Sequence, residues 1–252
     1  MCLIVLAWQI HPRHDLVLAA NRDELYSRPT RALDRWRDQP GLAAGRDLTA
    51  AGTWLAVHED GRFAAVTNFH DGQPPAPLAP SRGDLVAGYF AANEPPRTHA
   101  QRLAARAADF AGFNLLLGDA DSLWYLSNRA PAFAQPLAPG VHALSNHLLG
   151  TAWPKLQHGV EAMNAHVDRG STDLQPLFTV LQQRSAPGRG IQGLPWPASS
   201  GPFVSSETFG TRSSTVVTRE RRGAILIEER SFGPGGTPCG AVRLTLCPRM
   251  AA

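Results

Sequence analysis

The chain has 252 residues, of which 43% are hydrophobic, and a formal charge of +3. That suits one globular domain over 1–252, with a core of its own. Lys155 is the only lysine, and the arginines are scattered with no run longer than Arg221-Arg222, which argues against a nucleic-acid-binding stripe. The three cysteines, Cys2, Cys239 and Cys247, are odd in number and lack metal-ligand spacing, so a disulfide scaffold is not expected and a reducing compartment fits.

The first stretch, 2–9, reads as a buried strand, a short apolar run with Ile4 and Val5 closed by His11-Pro12. It lacks a basic flank and is too short for a signal peptide or a membrane span, so a cytoplasmic protein is expected. Residues 15–20 read as its antiparallel partner, ending in the polar tetrad Asn21-Arg22-Asp23-Glu24 near the start of the first strand. Stretch 28–39 looks irregular. Gly45-Arg46-Asp47, then Gly52-Thr53-Trp54-Leu55, lead into a strand that turns at Asp60-Gly61 and returns over 62–69. The proline-rich loop 71–80 precedes a helix through Asn93, with Leu85, Val86, Tyr89 and Phe90 on one side. A second helix is expected over 98–110, with Ser81 and Thr98 as N-caps. Strands follow at 113–117, 122–126 and 141–146, then helices at 154–167 and 173–184. Stretch 185–202 is a Gly/Pro-rich loop and a candidate lid. Strands at 203–208, 211–219, 223–229 and 241–247 complete the chain. Strand blocks alternating with helix pairs fit an α+β fold: a four-layer αββα sandwich of two antiparallel sheets with helices outside.

Cys2 stands directly behind the initiator methionine. Cysteine is small enough there for an aminopeptidase to remove Met1, leaving a thiol and an α-amine on one residue. An α-amine titrates near about 7.7–8.0 and can take the thiol proton itself, activating a nucleophile without a histidine. The nine histidines show no H-x-x-x-H or Cys-His spacing, and those at 11, 14, 58 and 70 fall in or near turns, so they read as surface residues. No metal and no cofactor is expected. Cys239 and Cys247 read as core thiols beside or within the last strand.

The opening Met1-Cys2-Leu3-Ile4, the Asn21-Arg22-Asp23-Glu24 tetrad, the Gly45 to Leu55 block and Thr67-Asn68 together resemble the NRDE family, also called the transport and Golgi organisation 2 family. Ser81-Arg82-Gly83, Phe113-Asn114-Leu115, Leu144-Ser145-Asn146 and Glu207-Thr208-Phe209-Gly210-Thr211-Arg212 extend the resemblance over nearly the whole chain. The family is in turn similar to N-terminal nucleophile hydrolases of the choloylglycine hydrolase and penicillin V acylase type. The resemblance implies Cys2 as nucleophile, Asp23 orienting the α-ammonium, Asn68 receiving the oxyanion, and Asn146 and Arg212 completing the catalytic set. Asn21, Arg22 and Trp54 are the expected substrate contacts. Those acylases carry an arginine just before the Asn-x-Asp triplet, where this chain has Ala20. Arg22 is expected to replace it only with a changed backbone.

The implied activity is an N-terminal cysteine amidohydrolase or acyltransferase acting on an amide or thioester of a small acyl metabolite. The alternative is a non-catalytic carrier of haem or of acyl-CoA and lipid, with Cys2 or His70 as a possible haem ligand. The partner is then a small-molecule acyl substrate or haem, with no nucleic acid and no membrane span.

Overall fold

The computed structural model describes residues 2–73, 76, 78–184, 201–221 and 223–247. Most of the expected lid, 185–200, lies outside them. The first sheet has the order β10-β1-β2-β11-β12-β13, built from β1 (Cys2–Trp8), β2 (His14–Leu25), β10 (Gly140–Leu144), β11 (Phe209–Glu220), β12 (Ile225–Phe232) and β13 (Pro238–Leu246). The second sheet runs β3 to β9 in sequence: β3 (Thr30–Arg35), β4 (Leu42–Asp47), β5 (Leu55–His58), β6 (Phe63–Asn68), β7 (Phe113–Gly118), β8 (Leu123–Ser127) and β9 (Ala134–Pro136). All these strand pairs are antiparallel.

Three apolar clusters define the layers. Ile4, Leu6, Trp8, Leu16 and Leu18 from the first sheet meet Leu55, Val57, Phe63 and Leu116 from the second. The outer face of the first sheet, with Leu3, Val5, Val17 and Ala19, is covered by α3 (Pro154–Asp168) and α4 (Gln175–Leu181). The outer face of the second lies under α1 (Gly83–Ala92) and α2 (Pro96–Ala104). The order is therefore helix, sheet, sheet, helix, as expected. It explains the unbroken apolar run of β1, which has side chains buried on both faces. Among the described residues no helix is long and apolar enough to cross a membrane.

Several expectations are corrected. Stretch 28–39 is not irregular, because it contains the edge strand β3, where only Leu33 is buried. The buried Glu229 carboxylate on β12 accepts the Leu33 amide at 2.7 Å and ties this edge to the first sheet. Pro96, with its φ already suited to a first helical turn, opens α2, so Thr98 is not its cap. Ser81 bonds the Gly83 amide at 3.2 Å just outside α1, where Arg82 holds the cap position. Stretch 203–208 makes only isolated bridges ahead of β11. Cys239 and Cys247 are exposed rather than core thiols, since β13 is the sheet's edge.

The histidines near the β1–β2 turn are not surface residues. His11 is 1% exposed, His14 is 7% exposed, and His166 of α3 is 1% exposed. His11 Nδ1 accepts the amides of Arg13 and His14, so its proton sits on Nε2, which faces the Ser171 carbonyl at 3.1 Å. The His166 ring stacks on His11 with centroids 5.5 Å apart. Neither His166 nitrogen has a hydrogen-bond partner among the described residues.

Beside this cluster, at the same end of the sandwich, Arg219 of β11 is fully buried. It bonds Asp15 at 2.5 Å, the Asp119 carbonyl at 2.8 Å and the Gly61 carbonyl. The first partner is on β2, while the other two are in turns of the second sheet, so one guanidinium clamps both sheets.

Arg219→Met removes that clamp and leaves its buried acceptors without it. Urea unfolding is expected to show a loss of about 3–5 kcal/mol. The histidine cluster gives a pH dependence. Burial, reinforced by His11 and His14, lowers the His166 pKa to about 4, against 6.5 for the ordinary side chain. Between these values the unfolded chain binds the proton and the folded chain does not, so stability falls as pH drops through this window. A loss on the order of 2 kcal/mol is expected from denaturation curves between pH 7 and 4, and His166→Gln should flatten it.

Candidate functional site

Alternation along β1 and β2 decides what faces the space between the sheets. Cys2 pairs with Arg22, Leu3 with Asn21 and Ile4 with Ala20. Ile4 and Ala20 belong to the inter-sheet core and Leu3 to the outer one, so Cys2 and Arg22 share the inner face. The tetrad at 21–24 lies within β2, with Asn21 and Arg22 paired to both β1 and β11 and Asp23 and Glu24 paired to β11 alone. Positions 20 and 22 have the same parity. Arg22 therefore reaches the face of the missing acylase arginine with no change of backbone, contrary to expectation.

Cys2 is half-buried and lines a cleft of about 450 Å³ at the ends of these strands. Arg22, Asp23, Trp54, Asn68 and Arg82 also line it. The Arg22 guanidinium lies 4.2 Å from the Trp54 ring centroid. The glycines of the matched blocks make this arrangement possible. A Cβ at Gly45 would come within 2.4 Å of the Trp54 ring, and one at Gly52 within 2.7 Å of the Gly83 backbone. Close approach at Gly52 and Gly83 brings the start of α1, with Arg82, to the rim.

Asn146 ties the start of β1 to the second sheet. Its Oδ1 accepts the Cys2 backbone nitrogen at 3.0 Å, and its Nδ2 donates to the Asn68 carbonyl at 2.8 Å. Ser145 donates from its hydroxyl to the Cys2 carbonyl at 2.5 Å. A buried polar network holds this segment. Thr67 Oγ1 donates to the Ser145 carbonyl at 2.6 Å, Asn114 Nδ2 to the His147 carbonyl at 3.0 Å, and the Tyr125 hydroxyl to Asn114 Oδ1 at 2.8 Å.

Charge is distributed unevenly around Cys2. Arg28 pairs with Asp47 at 2.6 Å, and Arg22 lies 3.7 Å from Asp47 and 3.8 Å from Glu24. Burial alone raises the Asp47 carboxyl, but the Arg28 hydrogen bond and the amides of Ala50 and Thr49 bring it below the ordinary range. Asp23 is buried, and its Oδ1 accepts from Thr211 at 2.6 Å. Its pKa is raised by burial, against the Thr211 bond and the charges of Lys155 and Arg22. Lys155, in the first turn of α3, is 3% exposed. Burial lowers its pKa to about 8, opposed by Asp23 and Cys2.

Cys2, Asp23, Asn68 and Asn146 thus converge, with Arg22 and Trp54 on the cleft wall. Two expected residues stand elsewhere. Asn21 faces outward, where its amide donates to the Leu181 and Pro202 carbonyls, both at 2.7 Å, and its Oδ1 accepts from Ser214. Arg212 is the extra residue of a bulge in β11, and its guanidinium bonds the carbonyls of Leu25, Tyr26 and Arg28. It braces the turn after β2 and does not line the Cys2 cleft. Sequence reasoning assigned no role to Arg82 or Lys155. Arg82 was visible inside the Ser81-Arg82-Gly83 match, and Lys155 as the lone lysine.

Residues 1–234 match the model of the family described as Transport and Golgi organisation 2. The chain belongs to this family. The match spans every segment that meets at the cleft, from Cys2 through the tetrad to Arg82 and Asn146. A transport and Golgi organization protein 2 homolog from Bos taurus is 32% identical, over 92% of this chain and 93% of that protein. The Homo sapiens homolog is 29% identical over the same shares. Among solved structures, a Caenorhabditis elegans N-acylethanolamine-hydrolyzing acid amidase ortholog is similar at a TM-score of 0.47 and 10% identity, covering 85% of this chain and 92% of that one.

In this member of the transport and Golgi organisation 2 family, the Tyr125 hydroxyl lies at the base of the network under Asn146. Tyr125→Phe leaves Asn114 Oδ1 and the Leu149 amide without it. Denaturant unfolding is expected to show a loss of about 1–3 kcal/mol.

Proposed function

We propose that the chain is an N-terminal cysteine amidohydrolase or acyltransferase, acting on an amide or thioester of a small acyl metabolite. One observation carries this reading: both ends of the Cys2 residue are committed to one site. Its nitrogen is held by Asn146 at 3.0 Å, and its side chain lines a cleft that also holds Asn68.

Removal of Met1 converts that nitrogen to an α-amine in the same place. The amine takes the thiol proton, and sulfur attacks the carbonyl carbon. Asn146 Oδ1 accepts one amine hydrogen and so aims the lone pair. The Asn68 side-chain amide donates to the oxygen as it becomes negative, and the Arg22 guanidinium, on the strand paired with Cys2, favours that charge. Collapse breaks the bond to the leaving amine or thiol, which departs with the proton returned by the α-amine. Water, or a second amine, then attacks the thioester, releases the acyl product and restores the thiol. Asp23, on the strand beside Arg22, balances the ammonium that forms between proton transfers.

The test uses Cys239→Ser/Cys247→Ser, which removes the two exposed thiols and leaves Cys2 alone. Intact mass is measured before and after exposure to p-nitrophenyl acetate. The expected result is a chain lacking Met1 that gains one acetyl group at Cys2. Cys2→Ala is expected to gain none and to unfold at an unchanged temperature. A chain that retains Met1, or one whose Cys2 stays unmodified, overturns the reading.

A further inference from the structure

The cations around the cleft differ in what they already bind. Arg22 and Arg28 both lie within ion-pair distance of Asp47 and Glu24. Arg82 lines the same cleft, half-buried, with no carboxylate within salt-bridge distance among the described residues. Its one hydrogen bond there runs from Nη1 to the Gly112 carbonyl at 3.2 Å. A guanidinium carries five N–H donors, so most of its planar fork is unused. It cannot lose its proton at any working pH, which makes it a permanent charge in search of an anion.

Its position is fixed by backbone contact. The Gly83 carbonyl faces the Thr53 amide at 3.5 Å, and neither Gly52 nor Gly83 has room for a side chain without crowding the other. Arg82 precedes this contact and is delivered to the rim across from β1. The Cys2 thiol is among the groups that act electrostatically on it, as is Glu24, while burial is the main cause of its lowered pKa. Val66, Ala79, Pro80 and Ala111 add a small apolar patch to a cleft whose lining is otherwise mostly polar. A cleft that holds a nucleophile, a guanidinium with no ion pair among the described residues and a small apolar patch suits a short acyl chain bearing an anionic group.

We propose that Arg82 anchors an anionic group of the ligand, so that the site takes acyl compounds bearing a carboxylate or phosphate. For its place in a reaction this rests on the Cys2 reading. As a statement about binding it stands without turnover. Arg82 is a specificity-determining residue here, not one that touches the reacting atoms.

The experiment is calorimetric titration of Cys2→Ala, which cannot react, with hexanoate, hexyl phosphate and the uncharged hexanamide. At least one anion is expected to bind about tenfold or more tightly than hexanamide. The preferred anion identifies carboxylate or phosphate as the partner. Arg82→Gln in the same background should bring that anion down to the level of the amide, while Arg82→Lys keeps part of the advantage and shows that the cleft has not collapsed. Equal binding of all three ligands, no binding of either anion, or an advantage that survives Arg82→Gln overturns the proposal. The hydrolase reading is judged separately, by acetylation of Cys2 in the chain that keeps it. Failure there with the charge preference intact leaves a binding site for anionic acyl compounds, and success there without the preference leaves a nucleophile with no anchor.

Discussion

The hydrogen bond from the Cys2 nitrogen to Asn146 Oδ1 sets the geometry of the whole cleft. An amide side chain can serve two masters at once, because its oxygen accepts while its nitrogen donates. Asn146 gives its oxygen to the first residue of the first sheet and its nitrogen to the Asn68 carbonyl of the second. The distance across the cleft floor is thereby fixed by one planar group. Cys2 and Asn68, the two ends of that bridge, line the same cleft because the bridge holds them there. At the opposite end of the sandwich Arg219 plays the matching part, with bonds to both sheets. The apolar core between these two clamps sets the layer spacing, and the clamps set the register.

Such a bridge is stable only if everything around it is satisfied. Buried polar groups cost free energy when left unpaired, and a half-made network is worse than an apolar core. Around Asn146 the set is nearly closed: Ser145 on Cys2, Thr67 and Asn114 on the carbonyls behind it, and Tyr125 on Asn114. None of these side chains lines the Cys2 cleft. They make rigid a segment that would otherwise be an ordinary loop after β10. The tripeptides Leu144-Ser145-Asn146 and Phe113-Asn114-Leu115, far apart in the chain, are the two halves of this support.

How much of this was legible in the sequence depends on the kind of signal. The layer order followed from blocks of strand and helix, and α1 from the spacing of Leu85, Val86, Tyr89 and Phe90, all buried as expected. The extent of β2 was hidden because its last residues are polar. They remain in the strand through pairing with β11, which runs past the start of β1, with Asn21 committed to backbone carbonyls and Arg22 to the cleft. Edge strand β3 was hidden for the opposite reason, since a strand with one buried residue carries no hydrophobic period. The bulge at Arg212 could not be read at all. One inserted residue redirects a side chain that the motif alone would send toward Cys2. The buried histidines were misread because a turn is usually exposed, and here α3 covers it.

Lys155 is the residue whose chemistry the chain's composition frames best. Every other strong base in the sequence is arginine. Arginine suits the places where those bases are described in pairs, with carboxylates or carbonyls that match its planar fork. Beneath the start of β1 the requirement differs. The charge is 3% exposed, and its electrostatic partners are Asp23 and Cys2. A guanidinium there would keep its proton at every pH and hold a full positive charge in the interior. An ammonium lowered to about 8 stays charged at neutrality but gives up its proton just above it. Burial raises Asp23 and lowers Lys155, so each moves toward its neutral form, and each opposes that drift in the other. That balance is a property of the pair rather than of either residue, and no linear motif could carry it.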